Sequence, residues 1–250
     1  MRQRSAAVDA AFFLPLLWSG ARVLDVGCGP GSITVGLAET VAPGEVIGVD
    51  VEALQIERAR ALPEAHGLAN LRFEVANAYD LPYPDASFDA VFAHFLLGNL
   101  HEPLRAAREF RRVLRQGGVA GVLDTDWGFW ILEPTSSLLR QFQAVLTRAI
   151  ERSGSSPYYA RSQRRLLLEA GFSRAEGYAR AGHQGTPERT RLAAENLEAR
   201  LRAPAVWEII LAEGWADLAT LEAMCAELYA WAERPDAFQV ALRCFATGWA

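Results

Sequence analysis

The chain is expected to fold as an α/β protein, an open parallel sheet covered by helices on both faces. Three observations predict it. Short apolar runs alternate with helical patterns over the first half of the sequence. A glycine-rich turn follows the first of those runs and opens a helix, and an acid ends the second run. The chain has 250 residues and is 51% hydrophobic, enough for one large domain with its own core.

The elements follow in order. Arg22-Val23-Leu24-Asp25-Val26 is a short apolar run ending in glycines, hence a buried strand. Ser32 to Thr40 is a helix, with Ile33, Leu37 and Val41 at helical spacing and Pro43-Gly44 closing it. Glu45 to Asp50 is a second strand, Glu52 to Leu62 a helix stopped at Pro63, Leu71 to Val75 a third strand and Phe88 to Ala93 a fourth. Pro103 to Arg115 is a helix with proline in its first turn and Gly117-Gly118 beyond its end. Val119 to Leu123 is the fifth strand. Strands alternating with helices in this way call for crossover connections and a parallel sheet.

The second half changes character. Ser136 to Arg152 carries Leu138, Leu139, Phe142, Val145, Leu146, Ala149 and Ile150 on one stripe, an amphipathic helix. Arg161 to Ala170 is another, ended by Gly171, and 173–181 is a strand. Residues 188–233 are helical, with breaks at Pro204 and Gly214, and Asp236 to Trp249 returns to a strand pattern. At the other end, Arg2 and Arg4 precede an apolar stretch from Ala6 to Trp18. Asp9 and Pro15 interrupt it, no small-residue cleavage site follows, and it is shorter than the ~20 apolar residues that span a bilayer. It is expected to be an amphipathic first helix of a cytoplasmic protein without a membrane span.

Composition excludes several functions. The formal net charge is −5, so no basic excess points to nucleic acid. All 25 basic residues are arginine, which removes a lysine Schiff base and a P-loop lysine. Cys28, Cys225 and Cys244 are odd in number and widely spaced, and His66, His94, His101 and His183 show no metal-ligand spacing. Neither a disulfide framework nor a metal site is expected.

The sharpest signal is Asp25-Val26-Gly27-Cys28-Gly29-Pro30-Gly31. Three glycines at alternate positions follow a strand and open a helix, leaving bare N–H groups for a ligand at a helix N-terminus. Asp50 stands nineteen residues past Gly31, at the end of the second strand, where a carboxylate suits the two hydroxyls of a ribose. A dinucleotide loop would read GxGxxG, but Ser32 holds the third glycine position. Asp25, two residues before the first glycine, suits a cationic ligand better than a diphosphate. S-adenosylmethionine (SAM) carries an ammonium and a sulfonium, so the residues favour SAM over NAD.

The stretches VLDVGCGPGSITVGLA, GEVIGVDVE, LRFEVANAYDLPYPDASFDAVFAHFLLGNLHEP and FRRVLRQGGVAGVLDTDW occur in that order from Val23 to Trp127, within a resemblance that covers about residues 4–127. Together they resemble the class I SAM-dependent methyltransferases, most closely the branch similar to the ubiquinone and menaquinone C-methyltransferases and their small-molecule relatives. The ending AFQVALRCFATGWA is similar to the last antiparallel strand of that fold. The resemblance implies a Rossmann-like seven-stranded, mostly parallel sheet, here with a helical lid insertion at 188–235 before the last strand. It implies that Asp25, Gly27, Gly29 and Gly31, with Cys28 inside the loop, hold the methionine end of SAM. Asp50 would bind the ribose, and Val51 would pack on adenine. Asn77 and Ala78 would contact the adenine amine and ring nitrogen. His94 and Phe95 would line the methyl-transfer channel, and Arg4 with Ser5 would reach the SAM carboxylate. Asn77 departs from the family's usual aspartate. Its amide oxygen can accept the same bond without charge, so weaker cofactor binding is expected.

Methyl transfer needs alignment and a dry pocket, and a base only where the acceptor must lose a proton. His94, after the fourth strand, reads either as that base or as a packing residue. Asp124 and Asp126, after the fifth strand, read as an acceptor-binding or basic pair or as turn-capping acids; of these, His94 and Asp126 are the catalytic candidates. Trp127, Trp207 and Trp215 are the substrate-binding candidates, the last two within the insertion, which is either a lid over the acceptor or an ordinary helical pack. The expectation is SAM-dependent methyl transfer to a small, partly apolar metabolite. The alternatives are a SAM-binding protein of the same fold with a non-methylation reaction, and an NAD(P)-dependent oxidoreductase. The partner is a small-molecule methyl acceptor, with no nucleic acid; oligomeric state stays open, a homodimer included.

Overall fold

The computed structural model describes residues 4–250 and, within them, every side chain except those of Ala65, His183 and Gln184. Arg2 lies outside the described residues. The chain opens with α1 (Ala6–Asp9), a 3-10 turn (Leu14–Leu16), β1 (Val23–Val26), α2 (Ser32–Val41) and β2 (Val46–Asp50). Next come α3 (Ala53–Ala59), α4 (Leu62–Ala65), β3 (Leu71–Val75), β4 (Phe88–His94), α5 (Pro103–Val113) and β5 (Leu114–Glu133). The remainder is α6 (Ser137–Arg152), α7 (Gln163–Glu169), β6 (Arg174–Gln184), α8 (Pro187–Leu201), α9 (Pro204–Ala212), α10 (Leu218–Ala232) and β7 (Phe238–Trp249).

The seven strands form one sheet in the order β3-β2-β1-β4-β5-β7-β6. The pairs β1–β2, β2–β3, β1–β4 and β4–β5 are parallel, and the sheet carries one antiparallel hairpin. The order reverses between β1 and β4. Connections leave on opposite faces at such a point, so their loops part and open a crevice beyond the carboxyl ends of the two strands. The glycine loop leaves β1 there, and His94 ends β4 there.

By contacts the chain divides into two compact units. The first holds the residues up to Asp124, Ser162–Tyr178 and Cys244–Ala250; the second holds Thr125–Arg161 and Ala179–Arg243. In the first, all four residues of β1 are buried, and Phe13, Leu37, Val46, Ile56, Phe73 and Phe92 build one core between the sheet and its helices. Strands buried on both sides cannot alternate with polar residues, which is why they appear in the sequence as continuous apolar runs. In the second, Phe142, Leu146, Leu197, Met224, Leu228 and Trp231 build a separate core from α6, α8 and α10. Its helices are capped as their sequence suggests. Ser136 Oγ accepts the Leu139 N–H at 3.2 Å, and Asp217 accepts the Thr220 N–H at 2.8 Å. Trp231 donates its indole N–H to the Glu133 carbonyl at 3.1 Å, so the ring fills the core without stranding its donor.

Three element boundaries differ from expectation. The stretch 6–18 is not one helix: four residues of α1 are followed by the 3-10 turn at Leu14–Leu16. Pro15 supplies no N–H there. Phe12 and Phe13 instead pack on the sheet, with ring centroids 4.7 Å from Phe245 and 5.4 Å from Phe92 respectively. The helix expected over 52–62 ends at Ala59, and Pro63 sits in the first turn of α4 rather than stopping a helix. Finally, α5 ends at Val113 and β5 is 20 residues long. Its start is paired across the chain's far end, where Gly117 N–H donates to Ala250 O at 3.1 Å and Ala250 N–H to Gly118 O at 2.8 Å. No local pattern encodes that pairing.

Candidate functional site

The loop after β1 runs through Gly27, Gly29 and Gly31 at φ of 74°, 54° and 82°. Left-handed backbone strains other residues. Gly31 is also crowded, since a Cβ there would stand 2.6 Å from the Phe73 ring. Gly29 is the opposite case: a Cβ would meet nothing within 4 Å, so its outer side is open. The loop thus presses its last glycine into the core and turns its middle glycine outward. Gly31 caps α2, leaving that helix's first N–H groups beside the loop. Cys28 donates its thiol hydrogen to the Gly29 carbonyl at 3.6 Å, and burial pushes its pKa up, so the side chain packs and the backbone is what faces a ligand.

Two carboxylates frame the loop. Asp25 lies inside β1, 2% exposed, and accepts the Thr34 hydroxyl at 2.6 Å. Burial raises its pKa to about 7, against the pull of that hydroxyl and with a further push from Asp50. Asp50, at the end of β2, is half-buried and bridges two backbone donors. Oδ2 accepts the Gly29 N–H and Oδ1 the Glu52 N–H, each at 2.9 Å. Val51, next in the chain, is 66% exposed, an apolar side chain held in water beside an acid. After β3, Asn77 is exposed and accepts the Tyr79 N–H at 3.0 Å, while Ala78 is buried.

At the end of β4, His94 is 7% exposed and Phe95 takes a φ of 54°, donating its N–H to the Leu123 carbonyl at 2.8 Å. Such a φ is costly for an aromatic residue and holds the turn in one shape. The His94 and Phe95 rings lie 4.0 Å apart between centroids. The N-terminal segment passes over this turn. The Arg4 guanidinium stands 4.9 Å above the Phe95 ring, and Asp9 Oδ1 lies 3.7 Å from His94 Nε2. In the sequence Asp9 is a single acid inside an apolar run, with no motif to mark it. At the end of β5, Asp124 accepts the Gln163 amide at 2.9 Å and the Gly98 N–H; burial raises its pKa to about 7 against both.

The remaining candidates belong to the second unit. Asp126 is fully buried and its oxygens are engaged: Arg161 pairs with both, the Nη2 contact at 3.2 Å, and the Gly128 N–H donates to Oδ1 at 2.9 Å. Each of the three tryptophans is half-buried under an arginine. Arg200 stands 5.3 Å from Trp127, Arg202 4.9 Å from Trp207 and Arg148 4.1 Å from Trp215. Among the described residues no group of three or more metal-ligating side chains occurs, and no helix is long and apolar enough to cross a membrane.

The first unit's residues fit SAM. The outward Gly29 leaves room for a ligand against bare amides, and Asp50 is already oriented by two backbone donors with lone pairs to spare. Val51 offers an exposed apolar surface for a purine. Asp25 can ionise at little cost when a cation arrives, because its pKa is already near neutral.

The class defined by this fold and loop is borne out by comparison. Residues 23–118 match the family model described as a methyltransferase domain. A methyltransferase of Schizosaccharomyces pombe is 34% identical over 178 residues, 68% of this chain and 63% of that protein. The ubiquinone/menaquinone biosynthesis C-methyltransferase of Hahella chejuensis is 42% identical over 109 residues, 42% of this chain and 43% of that one. Among solved structures, the [4+2]-cyclase SpnF superposes with a TM-score of 0.53 at 27% identity, over 90% of this chain and 75% of that chain. The chain spans about half the length of the curated relatives it matches, 46% to 63% for the first three. Residues 23–118 are a class I SAM-dependent methyltransferase domain.

Proposed function

We propose that the whole chain transfers a methyl group from SAM to a small, partly apolar acceptor. The observation that carries this reading is the Gly29–Asp50 contact at the point where strand order reverses, with three left-handed glycines beside it. Asp50 holds the ribose. Val51, Asn77 and Ala78 take the adenine. The amides of Gly27, Cys28, Gly29 and Gly31, with Asp25 behind them, take the methionine end, and Arg4 takes its carboxylate. When bound, SAM supplies a methyl carbon activated by the sulfonium, so the protein's own task is alignment and exclusion of water.

On the acceptor side, His94 is the better-placed proton acceptor of the two catalytic candidates. Asp126 spends its lone pairs on Arg161 and Gly128, so its part is to fix the backbone after β5. Trp127, Trp207 and Trp215, the latter two in the 188–235 insertion, are proposed to set acceptor choice. Their aromatic, half-buried character supports this. Trp207→Ala and Trp215→Ala should leave SAM affinity within about twofold and lower acceptor turnover far more, since what is lost is apolar contact area.

The likeness to a [4+2]-cyclase supports a second reading, a SAM-binding protein with a non-methylation reaction. One experiment separates the two. The purified protein is titrated with SAM by calorimetry and incubated with tritiated SAM and a metabolite extract. Binding with tritium transfer to an extract component supports methyl transfer. Binding without transfer favours the second reading, and no binding overturns both.

A further inference from the structure

We propose that the cleft where the N-terminal segment meets β6 and β7 is a second binding site, one that takes a small organic monocation, an ammonium carried on a ring or a short apolar body. The cleft encloses about 240 Å³ and is walled by Phe12, Tyr178, Phe245 and Trp249, with Glu176 and Thr247 as its polar groups. All six belong to the first unit, and none is a residue assigned to SAM. The inference therefore stands apart from the methyl-transfer reading. Alternate residues of a strand share a face. Phe245, Thr247 and Trp249 of β7 are spaced in that way, as are Glu176 and Tyr178 of β6, so two strands present five side chains to one place.

The chemistry of the walls selects the charge of the ligand. Phe12 lies against Phe245 with ring centroids 4.7 Å apart, and Tyr178 stacks on Phe245 at 5.6 Å. Aromatic faces carry a negative quadrupole and attract a cation, more strongly where water is excluded. Glu176 alone among the lining residues is charged at neutral pH, and it accepts the Tyr178 hydroxyl, which orients its carboxylate. Thr247 is 2% exposed, and among the described residues its hydroxyl has no hydrogen-bond partner, so it is left for a ligand's N–H. The protein already seats one cation against two of these residues. The Arg174 guanidinium stands 3.8 Å from the centre of the Trp249 ring and 3.8 Å from the Glu176 carboxylate. That ion pair is open to water and therefore weak, so a ligand cation can replace it. An anion would be repelled by Glu176, and a neutral ring would use the walls without the carboxylate.

The test titrates the full chain with benzylammonium, benzyl alcohol and benzoate, which share a ring and differ in charge. Binding is read by nuclear magnetic resonance on the Trp249 indole, assigned by its loss in Trp249→Phe, with and without S-adenosylhomocysteine. Benzylammonium should shift that resonance to saturation and bind at least about fivefold tighter than benzyl alcohol, while benzoate leaves it in place. Glu176→Gln, which keeps an acceptor for Tyr178, should weaken benzylammonium at least about fivefold and leave benzyl alcohol unchanged. Arg174→Ala removes the competing cation and should tighten benzylammonium by about two- to threefold. Arg174 lies outside the cleft, so this variant decides the sign even if Glu176→Gln folds poorly. Equal affinity for ammonium and alcohol, or weaker ammonium binding in Arg174→Ala, overturns the cation class. No shift of the Trp249 indole with any probe overturns the site. Displacement of benzylammonium by S-adenosylhomocysteine places the probe in the cofactor crevice and also overturns it.

Discussion

The Asp50 carboxylate and the Gly29 amide are joined at 2.9 Å, so the acid at the end of β2 and the loop after β1 hold each other in place. The second oxygen of Asp50 fixes the Glu52 amide at the entry to α3. The residue assigned to the ribose is therefore also a structural bridge. Asp50→Ala should lower SAM affinity at least about tenfold by calorimetry, because charge-assisted bonds are worth ~1.5–3 kcal/mol each before water compensates. It should also lower stability by about 1–2 kcal/mol in urea unfolding, from the backbone donors it releases. The circular dichroism of the native state should be unchanged. Unaltered affinity would remove the ribose assignment.

Asn77 offers a gain-of-affinity test. Its Oδ1 already accepts the Tyr79 N–H, which fixes the side chain and leaves one lone pair on that oxygen. Asn77→Asp keeps the turn and makes the acceptor anionic. SAM should bind about 1 kcal/mol tighter, roughly fivefold, if the adenine amine is its partner. A loss of affinity in the same calorimetric titration would place Asn77 against some other group.

What the sequence encodes locally was legible, and what depends on distant pairing was not. The buried strands β1, β2 and β4 stand out because a strand covered on both faces must be apolar throughout. The α6 stripe and the glycine loop are equally local. The N-terminal segment misleads because its periodicity suits a helix, while Phe12 and Phe13 are drawn onto Phe245 and Phe92. The start of β5 is paired with Ala250, more than a hundred residues away. At the site, Asp25, Asp50 and His94 sit where motif order placed them. Asp9, Thr34 and Gln163 approach the site's side chains from other elements, and only the fold brings them there.

The two ends of the glycine loop should respond oppositely to a methyl group. Gly31→Ala imposes a left-handed alanine, about 1–2 kcal/mol, and drives its Cβ into the Phe73 ring at 2.6 Å. Its unfolding free energy should fall by at least about 2 kcal/mol. Gly29→Ala carries the same backbone cost but meets nothing within 4 Å. It should remain folded with about 1 kcal/mol lost, yet fail to bind SAM, because the methyl group occupies the ligand's side of the loop. Equal SAM affinity in wild type and Gly29→Ala would mean that this open side is not where the cofactor lies.

Asp25 ties ligand affinity to pH. Burial raises its pKa to about 7. The sign for stability follows from linkage. A carboxyl whose folded pKa lies above its unfolded value contributes stability that is complete below the unfolded value of 3.8 and is lost as pH rises through about 7. Asp25→Asn should therefore flatten this part of the pH–stability curve, gaining on the wild type at pH 8 relative to pH 5 in thermal unfolding. The sign for binding is the reverse. A cationic amino-acid end is attracted only by ionised Asp25, so affinity for SAM should weaken as pH falls from 8 to 6, by up to about tenfold for one coupled proton. S-adenosylhomocysteine keeps the ammonium and should follow the same slope, since the sulfonium is not what Asp25 reads. Methylthioadenosine keeps the nucleoside but lacks the amino-acid end, and its affinity should stay flat over this range. In Asp25→Asn all three slopes should vanish. Calorimetry of the three ligands at pH 6, 7 and 8 makes the comparison, and a pH slope for methylthioadenosine equal to that of SAM would detach Asp25 from the methionine end.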